Sequence, residues 1–529
     1  QTEATEYASA WTTFANVEKS WAYRQDQLPS THPVAADIPD IAAVEVNFDG
    51  ITYAKGASVL KQLVAYVGLE DFLSGLRSYF DDHAYGNATF DDLIAALETA
   101  SGRDLSDWGA QWLKTTGLNS LEADFDVDAD GRFTRFAVVQ GGAEPGAGEL
   151  RTHRLAVGVY DEDSAGKLVR TRRVELDVAG ESTDVPDLIG ADRGALILVN
   201  DDDLTYCSLR LDPGSLDTVT TRIADIAESL PRTLCWSAAW EMTRNAQMRA
   251  RDFVALVQSG IQAETEVGVV QRLLLQAQSA LASYAEPGWA ASEGWPAFAD
   301  RLLELARSSE AGSDHQLAFV NALCTSVLSE RHTEALRGLL DLPSDTAESA
   351  DLAGLTVDTD LRWRIVQALA AAGVVDADST DTLFIDAELE RDDTAAGARQ
   401  AAHADAARPQ PSVKQRAWAE ATEDNAVPNI TTRAIVAGFR AVGQAELLEP
   451  YVARYFDMIT RVWERRSSEV AQTVVVGLYP SWSVSEQSVA AADAFLAGDH
   501  PAALARLVSE GRAGVVRALA ARRADSAAG

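Results

Sequence analysis

Val46-Asn47-Phe48-Asp49-Gly50-Ile51-Thr52-Tyr53-Ala54-Lys55-Gly56-Ala57-Ser58-Val59-Leu60 leads into a helix. After Tyr53 the apolar residues Val59, Leu60, Leu63, Val64 and Val67 recur at helical spacing, and Gly68 stands where a C-cap belongs. A second apolar set follows, with Phe72, Leu73, Leu76, Tyr79 and Phe80. Thr89 is then placed as an N-cap, with Asp92 three positions on, before Leu93, Leu97 and a stop at Gly102. Residues 1–117 are therefore expected to be helical.

The period changes beyond this block. Leu121, Ala123, Phe125 and Val127 alternate, Asp130-Gly131 is a hairpin signal, and Phe133 to Val139 continues as a second apolar segment. Leu155, Val157 and Val159 alternate again, as do Val174, Leu176 and Val178, and Leu196 to Val199 reads as a fully buried strand. These short strands predict a small β-sandwich over residues 118–210. From 211 to 529 the pattern returns to helix, rich in Ala, Leu and Arg, with turns at Glu286-Pro287-Gly288 and Leu342-Pro343-Ser344. A superhelical stack of paired helices, like HEAT or armadillo repeats, is expected there. The Ala-rich stretch Thr394 to Ala407 reads as helix with small residues at packing contacts. The fold class is mainly α with one small β-sandwich, in three domains.

Composition narrows the function. At 529 residues, 47% of them hydrophobic, the chain has ample material for several cores. Its 80 Asp and Glu against 45 Lys and Arg give a formal charge of −35, which would repel nucleic acid. Cys207, Cys235 and Cys324 are scattered and form neither a disulfide framework nor a metal-binding pair, so a reducing cytoplasm is expected. No apolar run approaches bilayer length, so no membrane partner is expected. The chain opens on Gln1 without an initiator methionine, so a preceding segment is expected.

Residue type alone offers little chemistry. The seven histidines, His32, His83, His153, His315, His332, His403 and His500, never share a helical turn, and no H-E-x-x-H occurs. There is no G-x-S-x-G and no P-loop. Asp201-Asp202-Asp203 lacks the alternating ligands and distal Glu of an EF-hand, so a solvated turn is expected instead.

The first hundred residues supply what composition does not. Thr31-His32-Pro33, followed by Phe48-Asp49-Gly50-Ile51-Thr52-Tyr53-Ala54-Lys55-Gly56-Ala57-Ser58-Val59-Leu60, resembles the S/T-H-P and F-D-x-I-x-Y-x-K-G-A-x-V-L segments of the zinc aminopeptidase N family. His83-Ala84-Tyr85-Gly86-Asn87-Ala88-Thr89 with Asp92 and Leu93 resembles its H-x-Y-x-N-A segment, and Trp112 with Gly117 its closing W-x-x-x-x-G. Asn200 to Tyr206 is similar to the turn that ends the family's sandwich, and the helical remainder is similar to the bowl-shaped domain of its bacterial branch.

The resemblance implies the helical half of a thermolysin-like catalytic domain over 1–117, a β-sandwich over 118–210 and an α-helical superhelical domain over 211–529. It also implies a zinc exopeptidase that hydrolyses N-terminal residues from peptides, with one zinc ion per intact enzyme. The G-x-M-E-N segment, the H-E-x-x-H pair and the third zinc ligand of the family would all lie upstream of Gln1. Glu3 and Glu6 are the nearest carboxylates and lack the context of that third ligand. This chain therefore carries no nameable zinc ligand and is expected to be inactive alone, its partners being peptide substrates and the missing N-terminal part of the catalytic domain.

One catalytic residue carries over by resemblance. Tyr53 matches the tyrosine that faces the zinc and stabilises the tetrahedral oxyanion; a core tyrosine at a helix start is the bland alternative. Gly56 and Lys55 read as structural: Gly56 is expected to allow close packing, and Lys55, which could pair with a carboxylate of the missing half, is assigned no role. Arg461, Arg465 and Arg466 read as a solvated helix face, with a peptide's C-terminal carboxylate as their functional alternative. A different class of function is a non-catalytic peptide- or protein-binding scaffold derived from the family.

Overall fold

The computed structural model describes residues 5, 7, 9–36, 38, 48–341, 352–377, 382–423 and 426–527. Val46, Asn47, Glu3, Glu6 and the Leu342-Pro343-Ser344 turn lie outside the described residues. The described chain forms two compact units, one of residues 1–242 with 263–269 and one of 243–262 with 270–529.

In the first unit a short helix Ala10–Thr13 and a π turn Phe14–Glu18 lead into α1, Lys19–Asp26. A second π turn, Ile51–Lys55, leads into α2, Gly56–Val67, which Gly68 ends at φ 91°. The helices α3, Leu69–Asp82, α4, Phe90–Ser101, and α5, Ser106–Leu113, follow. The stop and start signals are local and act as expected. Thr89 and Asp92 form a reciprocal capping box on α4, and Gly102 ends it in the left-handed region at φ 68°. The core of these helices gathers Val59, Leu63 and Val67 of α2, Ile94 and Leu97 of α4, and Trp108 and Trp112 of α5.

Seven strands follow in two sheets. They are β1, Leu118–Val127, β2, Phe133–Glu144, β3, His153–Glu162, β4, Leu168–Val178, β5, Ser182–Asp184, β6, Leu196–Asp201, and β7, Ser208–Arg210. The orders are β5-β2-β1-β7 and β4-β3-β6. All six residues of β6 are buried, Leu196 to Val199 as their unbroken apolar run predicts and polar Asn200 and Asp201 besides. The Asp130-Gly131 signal makes the β1–β2 hairpin, with Gly131 at φ 78°.

Arg151 ties sheet to helix. Its buried guanidinium donates to the carbonyls of Gln111, in the last turn of α5, and of Thr116 and Gly117, just beyond it, at 3.1, 2.7 and 3.0 Å. The acid triplet corrects the expectation of a solvated turn. Asp201 is buried and accepts from the Tyr160 hydroxyl and from Arg170, each at 2.7 Å. Asp203 is buried against Lys19 at 2.5 Å, and half-buried Asp202 bonds Arg170 and Arg173. The partners come from distant positions, so the triplet's own sequence gave no sign of them.

The second unit is helical throughout its described elements. The Ala-rich segment forms a helix, Ala395–Ala407, packed on Asn429–Phe439, where a Cβ at Gly438 would lie 2.2 Å from the His403 carbonyl. Small residues at the contact are therefore a steric requirement. Lys414 is buried and donates to the carbonyls of Ala406 and Phe439 at 2.8 and 3.1 Å. The last helix, Ala502–Ser526, returns to the unit's beginning, where buried Asp525 accepts from the backbone N–H groups of Arg251 at 3.0 Å and Glu286 at 2.9 Å.

Candidate active-site turn around Tyr53

Tyr53 sits in the π turn Ile51–Lys55 and is 49% exposed, whereas Ile51, Ala54 and Lys55 in the same turn are buried. The ring meets Phe48 edge-on, with centroids 4.8 Å apart. Asp49 starts the turn. Its Oδ1 accepts from the N–H groups of Ile51 at 2.9 Å and Thr52 at 3.0 Å, and its carbonyl accepts from Tyr53 N–H at 3.1 Å. Its other oxygen, Oδ2, lies 3.0 Å from His32 Nε2, while His32 Nδ1 lies 2.9 Å from the Pro33 carbonyl. The Thr31-His32-Pro33 segment and the tyrosine turn thus form one hydrogen-bonded group. Burial opposes the charge on His32, but the bonds to Asp49 and Pro33 prevail and raise its pKa above the ordinary value.

The floor of the turn is a buried ion pair. Lys55 Nζ donates to Asp26 Oδ2 at 2.8 Å and to the Gly117 carbonyl at 3.2 Å, while Asp26 Oδ1 accepts from Gly117 N–H at 3.0 Å and from Thr31 at 2.6 Å. Both charged side chains are fully inaccessible, and burial pushes the Lys55 ammonium down to about 8 despite the attraction of Asp26. The partner of Lys55 is thus within this chain, not in a missing half. Gly56 is likewise corrected. A Cβ there would meet Val34 at an ordinary 3.5 Å, whereas one at Gly50 would lie 2.7 Å from Gln25 Oε1, 2.9 Å from Trp21 and 3.0 Å from the Ala22 nitrogen. Gly50, whose N–H donates to Gln25 Oε1 at 2.5 Å, is where the turn presses on α1.

Comparison with known proteins bears on this segment and on the whole chain. The peptidase family M1 domain matches residues 1–112, which include Tyr53, and the ERAP1-like C-terminal domain matches residues 196–517. Aminopeptidase N of Streptomyces lividans is 51% identical over 525 residues, covering 98% of this chain and 60% of that protein. The chain belongs to the aminopeptidase N family. The tricorn protease-interacting factor F2 of Thermoplasma volcanium is 38% identical over 123 residues, 23% of this chain and 16% of that protein. Aminopeptidase M1 of Arabidopsis thaliana is 39% identical over 113 residues, 21% and 13% of the two chains. The matches cover 60%, 16% and 13% of these relatives, less than two thirds of each.

Zinc does not fit the described residues of this family member, since no group of three His, Cys, Asp or Glu among them is arranged to hold a metal ion. Three of the histidines have other partners. His153 is buried between Thr205 and Gln140, His332 bonds Asp300 and Ser329, and His500 stacks on Phe495. Cys207, Cys235 and Cys324 are buried free thiols, which burial raises above the ordinary thiol value. In the second unit Arg461 and Arg465 lie exposed on the helix Tyr451–Arg465, while Arg466 at its C-cap is half-buried. No described helix is long and apolar enough to cross a membrane. Sequence reasoning missed the His32–Asp49 contact, although both residues stand in the segments that carry the family resemblance.

Proposed function

We propose that this chain is part of a zinc-dependent aminopeptidase that removes residues from peptide N-termini, with Tyr53 stabilising the oxyanion. The reading divides it into a helical half of a catalytic domain at 1–117, a sandwich at 118–210 and a helical domain at 211–529. The observation that carries it is the setting of Tyr53. An exposed phenol stands on a turn whose neighbouring residues are buried and whose backbone is fixed by Asp49. Such preorganisation suits catalysis, because a donor fixed in advance needs no rearrangement as charge develops.

Attack on a peptide carbonyl moves negative charge onto its oxygen, and a neutral phenol donates a hydrogen bond that strengthens as that charge grows. The hydroxyl thereby lowers the barrier more than it tightens substrate binding. Zinc ligands are proposed to lie in a preceding segment of the catalytic domain, which would also cover part of the exposed apolar surface around Tyr53 and Phe48. Peptides are the proposed partners, with no nucleic acid and no membrane among them. Three free cysteines support the cytoplasm as the compartment.

The test is hydrolysis by the full-length protein of paired peptides with free and acetylated N-termini. Release of N-terminal residues from the free peptide alone, abolished by a chelator and restored by zinc, is expected. Failure to cleave either peptide would leave the scaffold reading standing. The 529-residue chain by itself is expected to bind no stoichiometric zinc and to release no N-terminal residue.

A further inference from the structure

We propose that His32 is a positioning residue for Tyr53: carrying a proton on each ring nitrogen, it braces Asp49, whose second carboxylate oxygen caps the turn on which Tyr53 stands. Its consequence for catalysis rests on the reading of Tyr53 given above; its charge state does not.

Nδ1 faces the Pro33 carbonyl at 2.9 Å and Nε2 faces Asp49 Oδ2 at 3.0 Å. A carbonyl and a carboxylate only accept, so each ring nitrogen must carry a proton for both contacts to be hydrogen bonds. A neutral imidazole would set a lone pair against one of these oxygens. The remaining carboxylate oxygen of Asp49 is taken by the N–H groups of Ile51 and Thr52, and its carbonyl by that of Tyr53. A change at His32 therefore reaches Tyr53 through one residue. The charged groups acting on the ring among the described residues are Asp49 and, further off, Asp26, both acidic. Each favours the protonated ring. No described atom of His32 reaches Tyr53, so its role is placement and not chemistry.

Loss of the ring proton breaks one of the two bonds that hold the ring, to Pro33 or to Asp49, and so loosens its brace on the turn. A reacting group displaced by about 1 Å can lose on the order of 10²-fold in rate. Turnover is therefore expected to fall as pH rises through the His32 titration, with KM little changed.

Two measurements test this. In the 529-residue chain labelled with ¹⁵N-histidine, the signal lost in His32→Gln should show both ring nitrogens protonated at pH 6.5 and titrate above that value. A ring already neutral at pH 6.5 would overturn the proposal. In the full-length enzyme, His32→Gln is expected to lower kcat by roughly 10-fold to 10²-fold with zinc content unchanged. His32→Arg, which keeps the charge and two donors, should restore most of the rate and abolish the alkaline fall. Equal rates for wild type and His32→Gln, beside a Tyr53→Phe enzyme that has lost activity, would sink the positioning role alone. An active Tyr53→Phe enzyme would sink the reading of Tyr53 and leave the histidine's charge state to the spectrum.

Discussion

Their surroundings push two histidines of the first unit in opposite directions. His153 is buried, with Nε2 3.1 Å from Gln140 Oε1 and Nδ1 2.8 Å from the Thr205 hydroxyl. Gln140 Oε1 accepts from Arg151 N–H, so Nε2 is the ring nitrogen that donates to it, while the Thr205 hydroxyl donates to Gln62 Oε1. Burial, reinforced by Arg151, pushes His153 down to about 3. The sign of the pH effect follows. Between pH 6.5 and about 3 the unfolded chain binds the proton and the folded chain does not, so stability is lost as pH falls through that window. Denaturation of the wild type and of His153→Gln between pH 7 and 5 should show the wild type losing about 1.4 kcal/mol more per pH unit below 6. Parallel slopes would contradict the assignment. For His32 the sign reverses, since its pKa is raised and its contribution is lost as pH rises through that value. None of this was legible in sequence, because Pro33, Asp49, Gln140 and Thr205 are assigned to their histidines only by folding. The same holds for Lys55, whose partner Asp26 lies 29 positions earlier with no periodicity linking them.

Elements whose signals are local were readable. Thr89, Asp92 and Gly102 delimit α4 because caps act within a few residues. The burial of Val59, Leu63 and Val67 follows from helical period, yet Leu60 in the same set is exposed. Period assigns a face to an apolar residue without saying whether anything covers it. Glycine was harder to read, because close approach depends on a second element. Gly50 and Gly56 make a controlled pair, since both lie in right-handed helical backbone. Gly56→Ala should be neutral or stabilising by up to about 1 kcal/mol, from helix propensity alone. Gly50→Ala should cost about 1–3 kcal/mol, because Gln25, Trp21 or α1 itself must shift. Thermal melts of the two variants decide this, and equal costs would show that the turn does not press on α1.

At the scale of the molecule, the first unit combines a solid core with a face of exposed apolar side chains. Val59, Leu63, Leu97, Trp108 and Trp112 are buried together, while Leu69, Leu73, Phe80 and Tyr85, on α3 and just beyond it, are exposed. Hydrogen exchange on the 529-residue chain should therefore be slow in α2 and α5 and fast in α3, whose only buried residue is Gly75. Uniform protection through these helices would contradict that division. The family and the mainly helical fold were legible from motifs spread over many fixed offsets, whereas the charge networks that brace the turn emerge only when distant segments meet. One hydroxyl carries the proposed chemistry. Tyr53→Phe in the full-length enzyme keeps the ring and its contact with Phe48 and removes only the donor. A fall in kcat of roughly 10²–10³, equivalent to about 3–4 kcal/mol, is expected, with KM, zinc content and Tm near those of the wild type. A Tyr53→Phe enzyme that retains more than about a third of the wild-type kcat would contradict it.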